Sequence, residues 1–247
     1  MFQQIQDLNY PVVIADGGDF VPAPADSHRT EIAEFLLNGL GAMTYDAIGV
    51  GELDLSLGAD YLRRASQKLP LVGANVHFGA GLADSLQAVR WVERKGRRIA
   101  IIGVIDPILY YESPGALEHT DSLFVGDARL AIQNTLKGLH EKPDVTLLLI
   151  HAERKRVEEI LEGIEGFDVV VVGHDPLGPK GEFKIGNAYL VLPGPNSREV
   201  SLFTLTRNDA GADLWTDLRV FMLSKYTQGD PKLEKMTNAF MAQHGMK

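Results

Sequence analysis

The chain has 247 residues, enough for one α/β domain with a sizeable core. With 33 acidic residues against 24 Lys and Arg, its net charge of −9 argues against a nucleic-acid-binding surface, which needs clustered cations. The absence of cysteine excludes disulfides, a thiolate nucleophile and Cys-ligated zinc. No stretch approaches the ~18 apolar residues of a membrane span, and the start Met1-Phe2-Gln3-Gln4-Ile5-Gln6 lacks the basic and apolar regions of a signal peptide.

In chain order, a β-branched run at 11–15 reads as a buried strand leading to Asp16 and Asp19. A Pro-rich loop follows at 21–25. A helix opens near Asp26 or Ser27, with Glu31 in its first turn, an apolar face of Ile32, Phe35, Leu36 and Leu40, and Gly39 and Gly41 ending it. The run 46–50 predicts a strand leading to Glu52, then a helix over 58–67 and a short strand over 70–74. Residues 87–105 predict a hairpin whose basic turn, Arg94-Lys95-Gly96-Arg97-Arg98, is solvated. The segment 106–124, with Pro107, Pro114 and Gly115, reads as an irregular loop and a possible site wall. A helix over 127–140 leads into a strand over 145–150 that ends at His151. Another over 154–164 leads into a strand at 169–172, followed by His174. Short strands near 182–185, 188–192, 201–206 and 213–218 suggest a second, antiparallel sheet. A last helix spans 231–243, with Asp230 ahead of Pro231. No repeat or linker divides the chain, so 1–247 is expected to be one domain.

Four of these apolar runs end in residues that can bind a metal: Asp19, Glu52, His151 and His174. Ligands in open α/β sheets bind beyond the carboxyl ends of the strands. Two carboxylates and two imidazoles gathered there would suit one divalent Mn, Fe, Zn or Co ion. Taken singly, each of the four is an ordinary cap, turn former or hydrogen-bonded histidine. Only their coincidence points to a metal.

The order and spacing of five segments resemble the metallophosphatase domain of the 5′-nucleotidase family, within the calcineurin-like metallophosphoesterases. Asp16-Gly17-Gly18-Asp19 is similar to that family's D-x-G-D. Gly51-Glu52-Leu53-Asp54-Leu55-Ser56 stands where it has G-N-H-E-F-D. Leu69-Pro70-Leu71-Val72-Gly73-Ala74-Asn75-Val76 resembles its strand ending in A-N. His151 falls at its lone strand-end His, and Gly173-His174-Asp175-Pro176 at its G-H-x-H. The resemblance covers essentially the whole chain. It implies a four-layer αββα sandwich lacking the first strand, with the site at the sheet edges.

It also implies what has changed. The family binds two metals. The opening D-x-H motif of the first site has no counterpart here, and Pro176 replaces the last His of G-H-x-H. The positions of the second site hold Asp19, Glu52, His151 and His174, so one divalent ion is expected. The family's leaving-group His and its orienting Asp are Leu53 and Ser56 here, and leucine can neither donate a hydrogen bond nor transfer a proton. No catalytic side chain is therefore assigned. The expectation is a divergent hydrolase of low activity acting on a nucleotide or other small phosphorylated metabolite. The alternative is a degenerate binding or scaffold module of the same fold. The family's C-terminal nucleotide-recognition domain has no counterpart in 1–247, so no substrate-binding residue is assigned. A removed leader would fit a periplasmic or extracellular location.

Overall fold

The computed structural model describes residues 10–24, 26–79, 84–113, 115, 118–174, 181–194, 198–208, 212–224 and 226–245. In chain order the elements are β1 (Ala15–Asp16), α1 (Arg29–Gly41), β2 (Ala47–Ile48), α2 (Glu52–Leu55), α3 (Gly58–Lys68), β3 (Val76–Phe78), β4 (Val89–Arg94) and β5 (Arg97–Ile105). They continue with α4 (Pro107–Glu112), β6 (Leu123–Val125), α5 (Ala128–Lys137), β7 (Val145–His151), α6 (Arg154–Leu161) and β8 (Val169–Val172). The last are β9 (Gly181–Ile185), β10 (Ala188–Leu192), β11 (Glu199–Arg207), β12 (Asp213–Met222) and α7 (Pro231–His244).

The main sheet runs β4-β5-β7-β8-β10-β9. Its four middle strands are mutually parallel, and β4 and β9 close the edges antiparallel. Parallel strands covered on both faces read as near-continuous apolar runs, as β5 does from Ile99 to Ile105 and β7 does apart from Thr146 and the terminal His151. Alternate residues face opposite ways. One face, with Ile102, Val104, Leu148, Ile150, Val170 and Leu190, packs on Ala128 and Ile132 of α5 and Val157, Ile160 and Leu161 of α6. The other face, with Ile101, Leu149, Val169 and Val191, meets a second β layer. That layer comprises the parallel pair β1–β2, extended by an isolated bridge from Ile48 to Leu71, and the antiparallel ribbon β11–β12. Beyond it, Ile48, Val50 and Leu71 pack on Ala33 and Leu37 of α1 and Leu62 and Ala65 of α3. The order is helix, sheet, sheet, helix, as the sequence implied.

The β4–β5 hairpin turns at Lys95 and Gly96, both in left-handed backbone, as the basic turn predicted. Four expectations need correction. First, β9 and β10 do not join a second antiparallel sheet, because β10 is buried at every position and lies parallel beside β8. Only β11 and β12 form a separate ladder. Second, the segment 106–124 contains α4 and β6. Asp106 caps α4 by accepting from the Ile108 N–H at 3.3 Å, with Pro107 following at a favoured position. Third, the strand expected over 70–74 reduces to the Leu71 bridge, and the regular strand lies at Val76–Phe78, paired with β6. Fourth, α1 begins at Arg29, because Asp26 closes a separate turn, its side chain accepting from His28 N at 2.9 Å. Among the described residues, no helix is long and apolar enough to cross a membrane.

Asn75 clips the layers together near the end of β5. Its amide nitrogen donates to Ile105 O at 2.7 Å and Gly126 O at 2.9 Å, and its oxygen accepts from Ile105 N at 3.1 Å. The side chain is 1% exposed, so water cannot replace these bonds. Asn75→Ala is expected to cost about 2–3 kcal/mol in urea unfolding, with the slope unchanged.

Candidate metal centre

All four candidate ligands sit at carboxyl ends of strands. Asp19 follows β1 through the turn Gly17-Gly18, and Glu52 opens α2 just after β2. His151 is the last residue of β7, and His174 lies two residues beyond β8. β1 and β2 are parallel neighbours in one layer, as are β7 and β8 in the other, so stacking the layers brings the four ends together. Each residue offers a ligand atom, and these atoms all lie within 4.8 Å of one another.

This approach is possible only without side chains at two positions. A Cβ on Gly51 would lie 2.1 Å from Asp19 Oδ1 and 2.6 Å from His151 Cε1. One on Gly173 would lie 2.3 Å from Gly17 O and 2.7 Å from His151 Nδ1.

His151 Nδ1 lies 2.9 Å from Gly17 O. A carbonyl only accepts, so Nδ1 carries the proton of that bond and Nε2 faces the site. Nε2 is 3.0 Å from Glu52 Oε2 and 3.3 Å from Asp19 Oδ2. His174 Nδ1 is 3.6 Å from Glu52 Oε1 and 4.0 Å from Asp19 Oδ2. Two donors about 2.1 Å from one ion at tetrahedral angles stand about 3.4 Å apart. The donor set and its spacing therefore fit a single ion. The His151 side chain is 1% exposed, those of Glu52 and Asp19 are 12% and 20%, and that of His174 is 28%, so the centre opens on the His174 side.

The electrostatics agree with a cation-seeking site. Burial works to lower the His151 pKa, but hydrogen bonds to Asp19 and Glu52 and their charges outweigh it and push the pKa up to about 10. Burial would raise the pKa of Asp19, but the His151 hydrogen bond and charge, the Leu53 N–H and His174 hold it below the usual carboxylate range. Without an ion, a proton on His151 balances the two carboxylates. A divalent cation would take that place.

Asp16 accepts the Gly18 N–H at 2.9 Å and shapes the turn that presents Asp19, and burial pushes its pKa up. Sequence reasoning missed the part played by Asp54. Fully buried, its carboxylate accepts from Asp19 N at 2.8 Å, Gly51 N at 2.9 Å and Val21 N at 3.0 Å. Burial and the Asp19 charge push its pKa up to about 8, against these three donors. Both oxygens are committed to backbone, so Asp54 builds the site rather than reacting in it. Its place in the first turn of α2 is the one local signal of that role. Leu53 packs against the core cluster of Leu55 and Tyr110, and its N–H donates to Asp19 Oδ1 at 3.0 Å. Pro176 and Asp175 lie outside the described residues. In the segment after β5, α4 packs on α2, the short helix that opens with Glu52.

No protein-family model matches the sequence, and no curated protein matches it. Solved structures do. The sulfate thiohydrolase SoxB of Thermus thermophilus superposes with a TM-score of 0.81 at 17% identity, over 94% of this chain and 43% of that one. A 5′-nucleotidase precursor, also of Thermus thermophilus, gives 0.76 at 18% identity, over 99% and 52%. An NAD nucleotidase of Haemophilus influenzae gives 0.76 at 15% identity, over 99% and 53%. The chain spans about half the length of these structures. It has the metallophosphoesterase fold that they share, as the sequence motifs implied.

Removing the Asp54 carboxyl would leave three N–H groups unpaired at once, those of Val21 and Gly51 buried and that of Asp19 partly so. Asp54→Ala is expected to cost about 3 kcal/mol or more in urea unfolding, and Asp54→Asn less, because an amide oxygen still accepts.

Proposed function

We propose that this chain is a slow, metal-dependent phosphoester hydrolase of the 5′-nucleotidase type, holding one divalent ion on Asp19, Glu52, His151 and His174. The observation that carries the reading is the convergence of these four donors at the paired sheet edges of this fold. Glu52 stands where the resembling family has a neutral Asn, and its extra charge favours a lone dication. Mn, Fe, Zn and Co all suit two oxygens and two imidazoles. When bound, the ion supplies Lewis-acid charge at a phosphoryl oxygen and lowers the pKa of water.

The protein's part is to hold and orient. Gly17 O fixes the His151 tautomer so that Nε2 points inward. Leu53 N pins one oxygen of Asp19 and leaves Oδ2 facing the histidines. The leaving oxygen is left without a proton donor, because Leu53 is apolar. General acid catalysis typically contributes about 10²–10⁴-fold, and esters with basic leaving groups lose most of that. The substrate class is a nucleotide or another small phosphorylated metabolite. Nucleic acid is disfavoured by the net charge of −9.

A second reading, a metal-holding module without catalysis, is favoured by one observation: the side chain at 53, where the resembling family has its leaving-group His, is an apolar Leu packed against the core cluster. Metal content and hydrolysis separate the two. The purified chain is expected to bind Mn²⁺, and Asp19→Ala and His151→Ala to lose that binding. Hydrolysis of p-nitrophenyl phosphate should exceed that of AMP, and Leu53→His should raise AMP turnover more than p-nitrophenyl phosphate turnover. Efficient AMP hydrolysis by the unaltered chain would defeat the role given to Leu53. Bound metal with no ester hydrolysed would leave the module as the answer.

A further inference from the structure

Arg29 occupies an unfavourable place in its own helix. It is the first residue of α1, where a cation meets the positive end of the helix dipole, and the N-cap His28 makes no side-chain capping bond. The guanidinium is instead spread over two other segments. Nε donates to Pro22 O at 2.9 Å. One terminal nitrogen donates to Leu53 O at 3.3 Å and to the Ser56 hydroxyl, and the other to Ser56 O at 3.4 Å. The Ser56 hydroxyl in turn donates to Leu53 O. Burial lowers the Arg29 pKa, and the Glu118 charge opposes that only in part.

These two segments are the ones that carry the acidic candidate ligands. Pro22 lies three residues after Asp19 in the segment between β1 and α1, while Leu53 and Ser56 belong to the turn that begins at Glu52. Asp54 joins the same segments through their N–H groups. Arg29 joins them through their carbonyls, the one thing a carboxylate cannot do.

We propose that Arg29 is a positioning residue for the Asp19–Glu52 pair: by bridging Pro22 to Leu53 and Ser56 it sets the separation of the two loops, and so the spacing of the two carboxylates, while touching neither. The proposal rests on the metal reading above for its consequence, though the bridge itself can be tested without metal. A fork of fixed geometry is needed, so Lys is a poor substitute.

The test uses the full chain with Arg29→Ala and Arg29→Lys. Arg64→Ala serves as the control, since Arg64 pairs with exposed Glu34. Amide hydrogen exchange on metal-free protein is followed in peptides covering 17–24 and 50–57, and Mn²⁺ affinity is measured by calorimetry. In Arg29→Ala both peptides should exchange faster together while β5 and β7 keep their protection, and Mn²⁺ affinity should fall about tenfold. Arg29→Lys should recover only part of each effect. Millimolar methylguanidinium should restore Mn²⁺ affinity to Arg29→Ala and leave Arg64→Ala unchanged, which a general loss of stability would not do. Wild-type exchange in both peptides, or an affinity equal to that of Arg64→Ala, would overturn the proposal. If the unaltered chain binds no Mn²⁺, the metal reading fails. The exchange data then decide alone: coupled loss of protection upholds the bridge, and unchanged protection removes it.

Discussion

The buried carboxylate of Asp54 is the contact on which the site depends. It draws in N–H groups from Asp19 and Val21 after β1 and from Gly51 after β2. Asp19 is thereby held in left-handed backbone at φ 63°. For a residue with a side chain, that conformation costs roughly 1–2 kcal/mol. An ordinary buried hydrogen bond contributes about 0.5–1.5 kcal/mol, and the three that Asp54 accepts together offset it. The lock is reciprocal, because Asp19 Oδ1 accepts the N–H of Leu53, in the same turn as Asp54. Neither loop can relax without releasing the other.

A second lock joins the two β layers. Gly17 O meets His151 Nδ1, and Gly173 packs so closely on Gly17 that no Cβ fits between them. The backbone of one layer therefore sets the tautomer of an imidazole in the other. This leaves the histidines unequal. His151 is enclosed and double-tethered by carboxylates, whereas His174 is more exposed and stands farther from them. If the proposed ion binds, the enclosed side would fix its geometry and the exposed side would be the one a ligand reaches, as in metal sites that keep one open position.

Much of this was legible in the chain because it was local. Apolar runs at 145–150 and 169–172 announced buried strands, and the polar residue ending each run fell where ligands gather. The layer order followed from the same runs with the motif resemblance. What escaped the sequence were the long-range hydrogen bonds. Two of the N–H donors to the Asp54 carboxylate lie 33 and 35 residues upstream, so Asp54 reads locally as an ordinary residue of a short helix. The same holds for Arg29, whose acceptors in the Glu52 turn lie 24 and 27 residues away. The place of β10 was hidden for a related reason: its five apolar residues declare burial but not a neighbour, and pairing with β8 is a tertiary choice. For α4 the signal was readable, Asp106 before Pro107, but outweighed by the Pro and Gly residues downstream.

The departures at Leu53 and Ser56 belong together with Arg29. In the resembling family these two positions hold a histidine and the aspartate that orients it. Here the Leu53 side chain joins the core cluster, its carbonyl faces Arg29, and the small hydroxyl of Ser56 both accepts from the guanidinium and donates to that carbonyl. A carboxylate introduced by Ser56→Asp would meet the guanidinium first, since Arg–carboxylate pairs are among the stronger side-chain hydrogen bonds. An imidazole introduced by Leu53→His would then lack its orienting partner unless Arg29 were changed as well. Changing Arg29, however, releases the bridge between the two loops that present Asp19 and Glu52. Leu53 and Ser56 in place of the resembling family's proton-donating pair, and the Arg29 bridge, are thus two sides of one arrangement. The site holds its carboxylates in place with the positions that would otherwise assist the leaving group.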